Sequence, residues 1–235
     1  MKIRKKANSI LNSTIFNKVI MAVTGFILLA FITGHALGNL QLYLGKAAYN
    51  TYAHFLQKGI GELIWFIRIT MIVSVVLHIY TSVKLKFLNL SAKPAKYQVK
   101  NYIKSTIYSR NMIYTGILIF LFLVYHLLHF TIGTIMPSAY GQYENYGVMN
   151  LQIRQDVYQM VVLGFSNLWV AISYVLAVSF LGFHLTHSLE SGFQTLGFGG
   201  DKFTPVAIYI SRIVAIIITL MFLAAPIGVL FGLIK

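Results

Sequence analysis

The stretch Thr24–His35 reads TGFILLAFITGH: it is apolar for almost its whole length, and it ends on a histidine. The same pattern returns at Thr115–His126, which reads TGILIFLFLVYH. In both stretches a Thr-Gly pair is followed by nine residues and then by histidine. A polar residue repeated at one distance from a glycine, in two oily segments, indicates a shared task inside a membrane.

Composition places the chain in the class of integral membrane proteins. Its 235 residues are 57% hydrophobic and only 10% charged, whereas a soluble domain carries about 25% charged residues. The sequence contains no cysteine. This excludes disulfides, thiolate-held iron–sulfur clusters, cysteine nucleophiles and covalent haem attachment. Any cofactor must therefore be held by histidine, by oxygen ligands or by shape.

Five stretches of the chain are long enough to span a bilayer, which takes about 20 apolar residues. The first lacks a cleavage site of the A-x-A kind, so we read it as an uncleaved span. The sequence predicts one all-α transmembrane domain over residues 1–235. The predicted spans are 18–42, 62–86, 110–135, 158–187 and 205–234.

The basic residues predict the orientation of the chain. Lysine and arginine concentrate in the first nine residues and in the segment 84–110, between the second and third spans. The positive-inside rule then places the N-terminus in the cytoplasm and the C-terminus outside. The net charge is +14. Because the charge favours one membrane face, it indicates anionic lipid or an acidic partner there rather than nucleic acid.

Four histidines fall at two depths of the predicted helices. The first and third spans run outwards, so His35 and His126 lie near the outer surface and are called the outer pair. The second and fourth spans run inwards, so His78 and His184 form an inner pair. Two imidazoles from facing helices are an axial ligand set of haem b. The sequence therefore predicts that the first four helices form a bundle around two haems b.

The glycines of the repeat fit this arrangement. Ten residues of helix span about 15 Å, so Gly25 and Gly116 are expected at the depth of the inner pair. A glycine there lets a flat porphyrin approach the backbone closely. The alternative is ordinary helix packing, because intramembrane histidines also hydrogen-bond between helices and small residues pack there.

Other histidines compete with two of the proposed ligands. His129 and His187 each lie three residues beyond a member of a pair. The Thr-Gly repeat selects His126 over His129, but no repeat decides between His184 and His187, which could instead bind a haem propionate. His54 lies in the loop after the first span, where we interpret it as a solvated or interfacial residue, with a quinone contact as the alternative.

These residues resemble a known family, the five-helix, di-haem cytochrome b anchors of bacterial succinate:quinone oxidoreductases (succinate dehydrogenases and fumarate reductases). The stretches that carry the resemblance are TGFILLAFITGHALGN, VVLHIY, TGILIFLFLVYHLLHF and GFHLTHSLESGFQTLG. The resemblance covers all five spans. It implies that His35 and His126 ligate the outer haem, and that His78 and His184, rather than His187, ligate the inner haem.

The resemblance also implies a function and partners. The subunit would anchor a flavoprotein and an iron–sulfur subunit on the cytoplasmic face of the bacterial inner membrane. It would pass electrons between the iron–sulfur subunit and a quinone, which the resemblance implies is the family's usual menaquinone. It would thus be the quinone-reactive part of an enzyme that links the tricarboxylic acid cycle to the respiratory chain, while the dicarboxylate chemistry lies in the other subunits.

Quinone chemistry also needs a proton-transfer group, and the acidic residues are few. Glu62 opens the second span at its outer end, where a carboxylate could exchange protons with quinone. The other interpretation is a helix-start glutamate favoured by the helix dipole. In the resembling family the quinol-site glutamate comes earlier in this loop and does not align with Glu62. The tyrosine-rich loop that follows the third span predicts either a cap over a quinone site or an interfacial aromatic belt.

Two other functions fit some of these features. A haem-bearing anchor of another respiratory complex, of the hydrogenase or nitrate reductase type, would also carry intramembrane histidines. A haem-free transporter would use the histidines to relay protons, and discontinuous helices and more acids at mid-membrane would be expected.

Overall fold

A computed structural model describes residues 13–92, 106–147 and 152–235 of the chain. Its helices are α1 Thr14–Leu40, α2 Lys46–His54, α3 Leu63–Ser91, α4 Ile107–His126, α5 Pro137–Tyr140, α6 Val157–Ser166, α7 Leu168–Thr195 and α8 Phe203–Leu230. A 3-10 turn, Gln41–Leu44, continues α1. Two π turns, Phe55–Gly59 and Leu127–Thr131, follow α2 and α4.

Five helices of the described chain, α1, α3, α4, α7 and α8, are long and apolar enough to cross a membrane. Each of them leaves large apolar side chains exposed. Examples, one from each helix, are Phe31, Ile72, Phe120, Leu176 and Ile216. Apolar side chains turned outwards suit a lipid environment and not water. The prediction of an all-α, multi-pass membrane protein with five spans is therefore confirmed.

The fourth span begins later than predicted. The predicted segment 158–187 joined two helices, α6 and α7, which the structure separates at Asn167. The side-chain oxygen of Asn167 accepts the backbone N–H groups of Trp169 (3.0 Å) and Val170 (3.3 Å). This is an N-cap, which starts a new helix. The fourth span is thus Leu168–Thr195, whereas α6 is a short apolar helix before it.

The tyrosine-rich loop forms a small antiparallel hairpin. Strand β1, Tyr143–Tyr146, pairs with β2, Gln152–Gln155, so that Tyr143 lies opposite Gln155. The hairpin leads directly into α6, whose first turn is capped by Asp156, because its carboxylate accepts the N–H of Gln159 at 3.0 Å. The residues 148–151 at the tip lie outside the described chain.

A polar cluster fastens this hairpin to α2. The buried side chain of Asn50 donates to the Asp156 carboxylate at 2.8 Å and accepts the backbone N–H of Tyr158 at 2.8 Å. Lys46 forms ion pairs with both Asp156 and Glu144. Burial alone would raise the pKa of Asp156. The hydrogen bonds from Lys46, Asn50 and the Gln159 N–H outweigh burial, and they hold the pKa of this carboxyl below its ordinary value.

The chain folds as two compact units. The first unit comprises residues 1–31, 68–114 and 183–215, and the second comprises 32–67, 115–182 and 216–235. Because every span contributes to both units, the units are not successive segments of the sequence. The prediction of one domain over residues 1–235 stays a prediction. The inner pair belongs to the first unit and the outer pair to the second.

Candidate functional site

The inner pair is formed by α3 and α7. The ring centroids of His78 and His184 lie 6.5 Å apart, and the ring planes are inclined by 62°. Both side chains are half-buried. Of the two histidines near the end of the fourth span, His184 is therefore the one whose ring faces His78.

A threonine fixes the proton of His78. The Thr24 hydroxyl donates to the carbonyl of Ile20 at 2.7 Å, with Met21 as a second acceptor at 3.1 Å. Because its single proton is used there, Thr24 can only accept from Nδ1 of His78, which lies 3.3 Å away. The ring then carries its proton on Nδ1, and the Nε2 lone pair is available for a metal.

Gly25 lies against the same imidazole. A Cβ atom placed on Gly25 would stand 3.4 Å from Cε1 of His78, in van der Waals contact. Gly25 therefore lies beside the inner pair, and its role in making room for a haem stays a prediction. Gly116 is half-buried in α4, and its role beside the inner haem stays a prediction.

His187 takes a different position on α7. Its Nδ1 lies 4.0 Å from a carboxylate oxygen of Glu190. This buried Nδ1 makes no hydrogen bond with the part of the chain that the structure describes. His187 therefore belongs to the polar end of the helix.

The outer pair is formed by α1 and α4. The ring centroids of His35 and His126 lie 5.8 Å apart and are nearly perpendicular, at 80°. Aromatic rings surround the pair. The ring of Phe222 in α8 lies 5.7 Å from that of His35, whereas Phe122 and Phe130 each lie 5.9 Å from His126. The outer pair is thus bordered by aromatic rings from α4 itself, from the turn that follows it and from α8.

A tyrosine of α7 joins the two histidines at the end of the third span. The hydroxyl of Tyr174 lies 3.3 Å from Nδ1 of His126 and 3.0 Å from Nδ1 of His129. His129 is only 1% exposed and stacks on Phe130, with ring centroids 3.9 Å apart. Its second nitrogen, Nε2, is buried and has no partner among the described residues.

The geometry of both pairs fits the axial ligands of one metal ion. An imidazole nitrogen binds a metal at about 2 Å, so two rings on opposite sides of one ion have centroids about 6 Å apart. The observed separations of 5.8 Å and 6.5 Å lie on either side of this value. Within residues 13–92, 106–147 and 152–235 no group of three or more His, Asp or Glu side chains could hold a bare ion. Two opposed imidazoles suit an ion whose other ligands come from a porphyrin.

Comparisons with protein-family models, curated proteins and solved structures find no match to this chain.

The predicted proton-transfer residue lies at a helix start. Glu62 is exposed and directly precedes α3, and its backbone carbonyl accepts the N–H of Trp65 at 3.0 Å. Nearby in the sequence, His54 is half-buried, and its Nε2 lies 3.0 Å from the hydroxyl of Tyr146 in the hairpin. The guanidinium of Arg154 lies over the ring of Tyr146, 4.8 Å from its centroid. His54, the last residue of α2, thus packs against the hairpin through Tyr146, and its role as a solvated or interfacial residue or as a quinone contact stays a prediction.

Two residues whose hydroxyl groups lie within hydrogen-bond distance of the paired histidines were missed in the sequence. Thr24 was present in the Thr-Gly repeat, but the repeat was explained by its glycine alone. Tyr174 had a weaker signal: it precedes His184 by ten positions, the same offset that separates Gly25 from His35. Side-chain partners of this kind depend on which helix faces come together, and the sequence alone does not give that information.

Proposed function

We propose that this chain is the cytochrome b membrane anchor of a di-haem succinate:quinone oxidoreductase. It attaches a flavoprotein and an iron–sulfur subunit to the membrane and passes electrons between the iron–sulfur subunit and a quinone, menaquinone by the family resemblance. The observation that carries this proposal is the presence of two opposed histidine pairs, each drawn from two membrane-spanning helices and each in its own unit of the fold.

The proposed haem ligands are His35 and His126 in the outer pair, and His78 and His184 in the inner pair. A haem b held by these histidine pairs would supply one-electron transfer, and ligation by two imidazoles would leave no site on the iron for another ligand. The chain's own contribution is to orient the imidazoles. Thr24 keeps the proton of His78 on Nδ1, and Gly25 keeps the space beside that ring free of side-chain atoms.

The proposed setting is the bacterial inner membrane, with the N-terminus in the cytoplasm and the C-terminus outside. The support is the concentration of lysine and arginine at the N-terminus and between the second and third spans. These basic segments would also attract anionic lipid and the cytoplasmic partner subunits. Quinone would react near the outer pair, with Glu62 as the first candidate for proton transfer.

Purification from the native membrane in mild detergent tests this proposal. We expect the chain to carry two haems b, measured by pyridine haemochrome, and to co-purify with a flavoprotein and an iron–sulfur protein. Succinate should then reduce a menaquinone analogue. A chain without a reduced-minus-oxidised haem spectrum would contradict the proposal and favour a transporter. Two haems with hydrogenase or nitrate reductase partners would identify an anchor of another respiratory complex.

A further inference from the structure

We propose that Tyr174 and His129 form a hydrogen-bond chain that fixes the ligating nitrogen of His126 and lowers the redox potential of the outer haem. Tyr174 and His129 are positioning residues in this proposal, because both act through His126. The inference rests on the proposed haem function, although part of it is testable on the haem-free protein.

The geometry is a linear chain of three polar groups. The Tyr174 hydroxyl stands between Nδ1 of His126 and Nδ1 of His129, at 3.3 Å and 3.0 Å. A phenol has only one proton to donate. Tyr174 can therefore donate to one of these histidines and must accept from the other. The chain has two possible directions, and each direction sets the tautomers of both histidines.

The direction of the hydrogen-bond chain decides which of the two histidines can bind iron through Nε2. If His126 binds iron through Nε2, its Nδ1 carries the proton and donates to Tyr174, as metal-bound histidines commonly donate to a neighbouring acceptor. Tyr174 then donates to Nδ1 of His129, whose own proton must lie on Nε2. In the opposite direction His129 would present an Nε2 lone pair, and His126 would not.

Packing selects the first direction. The ring of His126 faces that of His35, whereas His129 is enclosed by Phe130 on one side and by the backbone of α6 on another. A Cβ atom placed on Gly164 of α6 would already stand 3.3 Å from Cε1 of His129. A porphyrin has no room beside that ring. His129 is thus the end of the chain, and in this direction the proton of His129 lies on its buried Nε2, which has no hydrogen-bond partner among the described residues.

The chain has an electronic consequence. Hydrogen bonds in series polarise one another, so a Tyr174 hydroxyl that donates to His129 is a better acceptor for the His126 N–H. A stronger hydrogen bond at Nδ1 makes the imidazole more basic and a better donor to iron. The more highly charged, oxidised iron gains most from such a ligand. The chain should therefore hold the potential of the outer haem down.

Redox titration of the purified, haem-loaded protein, followed in the visible spectrum, tests this effect. Tyr174→Phe removes the hydroxyl but keeps the ring, and it should shift the outer haem to a higher potential while the inner haem is unchanged. His129→Leu should shift it in the same direction by less, because Tyr174 can still accept. The matched control is Tyr125→Phe, a tyrosine that packs on Tyr174 with ring centroids 5.7 Å apart but does not join the two histidines.

The nitrogen-15 chemical shifts of the histidines in the haem-free protein, measured by NMR in detergent, test the direction independently. We expect His126 with its proton on Nδ1 and His129 with its proton on Nε2. An outer haem whose potential Tyr174→Phe leaves unmoved, or a His129 protonated on Nδ1, would overturn the inference. If the protein binds no haem at all, the haem function fails, and the NMR result still decides the direction of the chain.

Discussion

The inner and outer pairs each have one histidine beside a hydroxyl group, but a threonine provides the hydroxyl at the inner pair and a tyrosine provides it at the outer pair. At the inner pair, His78 is oriented by the hydroxyl of Thr24, whose proton is already used by the backbone of its own helix. At the outer pair, His126 is oriented by the hydroxyl of Tyr174, which also lies within hydrogen-bond distance of a second histidine, His129. The Thr24 hydroxyl can only accept a hydrogen bond from His78, whereas the Tyr174 hydroxyl could donate to either His126 or His129. The surroundings differ as well, since a glycine lies beside the first ring and several aromatic rings surround the second.

The partner of each histidine follows from the space around its ring. Gly25 leaves room beside His78, and the short hydroxyl of Thr24, on the same helix, lies 3.3 Å from that ring. Aromatic rings surround the outer pair, and among the described residues the hydroxyl beside His126 comes from the long side chain of Tyr174 in α7. Substitutions that act on one pair alone test this difference.

The largest expected effect is the loss of a whole haem. We expect His78→Ala to remove the inner haem only and His126→Ala to remove the outer haem only, because each imidazole supplies one of two axial bonds. Pyridine haemochrome counts the haems, and the visible spectrum shows which one is left. His54→Ala is the matched control and should keep both. Retention of both haems in His126→Ala, with loss of one in His129→Ala, would exchange the roles of these neighbours.

The next effect concerns turnover with the haems intact. If quinone reacts near the outer pair and Glu62 transfers its protons, Glu62→Gln should abolish succinate-dependent quinone reduction. The activity with an artificial dye, which bypasses quinone, should remain. Glu190→Gln, at a carboxylate of the first unit, is the control and should keep quinone turnover. Full quinone activity in Glu62→Gln would assign Glu62 to starting α3 and nothing more.

A smaller, local effect is expected at the inner pair. Gly25→Leu places a bulky side chain where a single Cβ atom already stands 3.4 Å from His78, so the inner haem should be lost or its spectrum distorted while the outer haem survives. Gly34→Leu is a close control on the same helix, because a Cβ atom there meets nothing within 4 Å. Loss of the outer haem alone in Gly25→Leu would show that the register of the pairs is different from the one argued here.

The smallest effect is a pH-dependent loss of stability in the second unit. Because the pKa of Asp156 is lowered, its carboxylate contributes to the free energy of unfolding above the ordinary pKa of 3.8. This contribution is lost as the pH falls through the lowered pKa. Asp156→Asn should cost about 1–3 kcal/mol at neutral pH and should remove this acid-dependent part.

Fluorescence can follow this change selectively, because both tryptophans, Trp65 and Trp169, lie in the second unit. Asp201→Asn changes an exposed carboxylate of the first unit and serves as the control. An acid transition that is the same in Asp156→Asn and in the unaltered chain would mean that the carboxylate does not stabilise the second unit.

The parts of this molecule that the sequence predicts are those set by local chemistry. A run of apolar residues is enough to place a span. Because successive spans run in opposite directions, the sequence is also enough to match His35 with His126 and His78 with His184 in depth. The break at Asn167 was missed because apolar residues continue on both sides of it and only the cap geometry ends the helix. Tyr174 was missed because it reaches His126 through the packing of two helices. The hairpin and the polar cluster around Asp156 were missed because neither produces a periodic pattern in the sequence.

The order in which the ligands occur along the chain has a consequence for biosynthesis. A chain enters the membrane from its N-terminus, so both histidines of the outer pair are present once α4 has been made. The inner pair is complete only after α7 has been made, because α7 supplies His184. The same helix supplies Tyr174, which orients His126. A nascent chain of three spans could therefore bring the outer pair together but could not yet fix the tautomer of His126. Synthesis of the fourth span then completes both sites together.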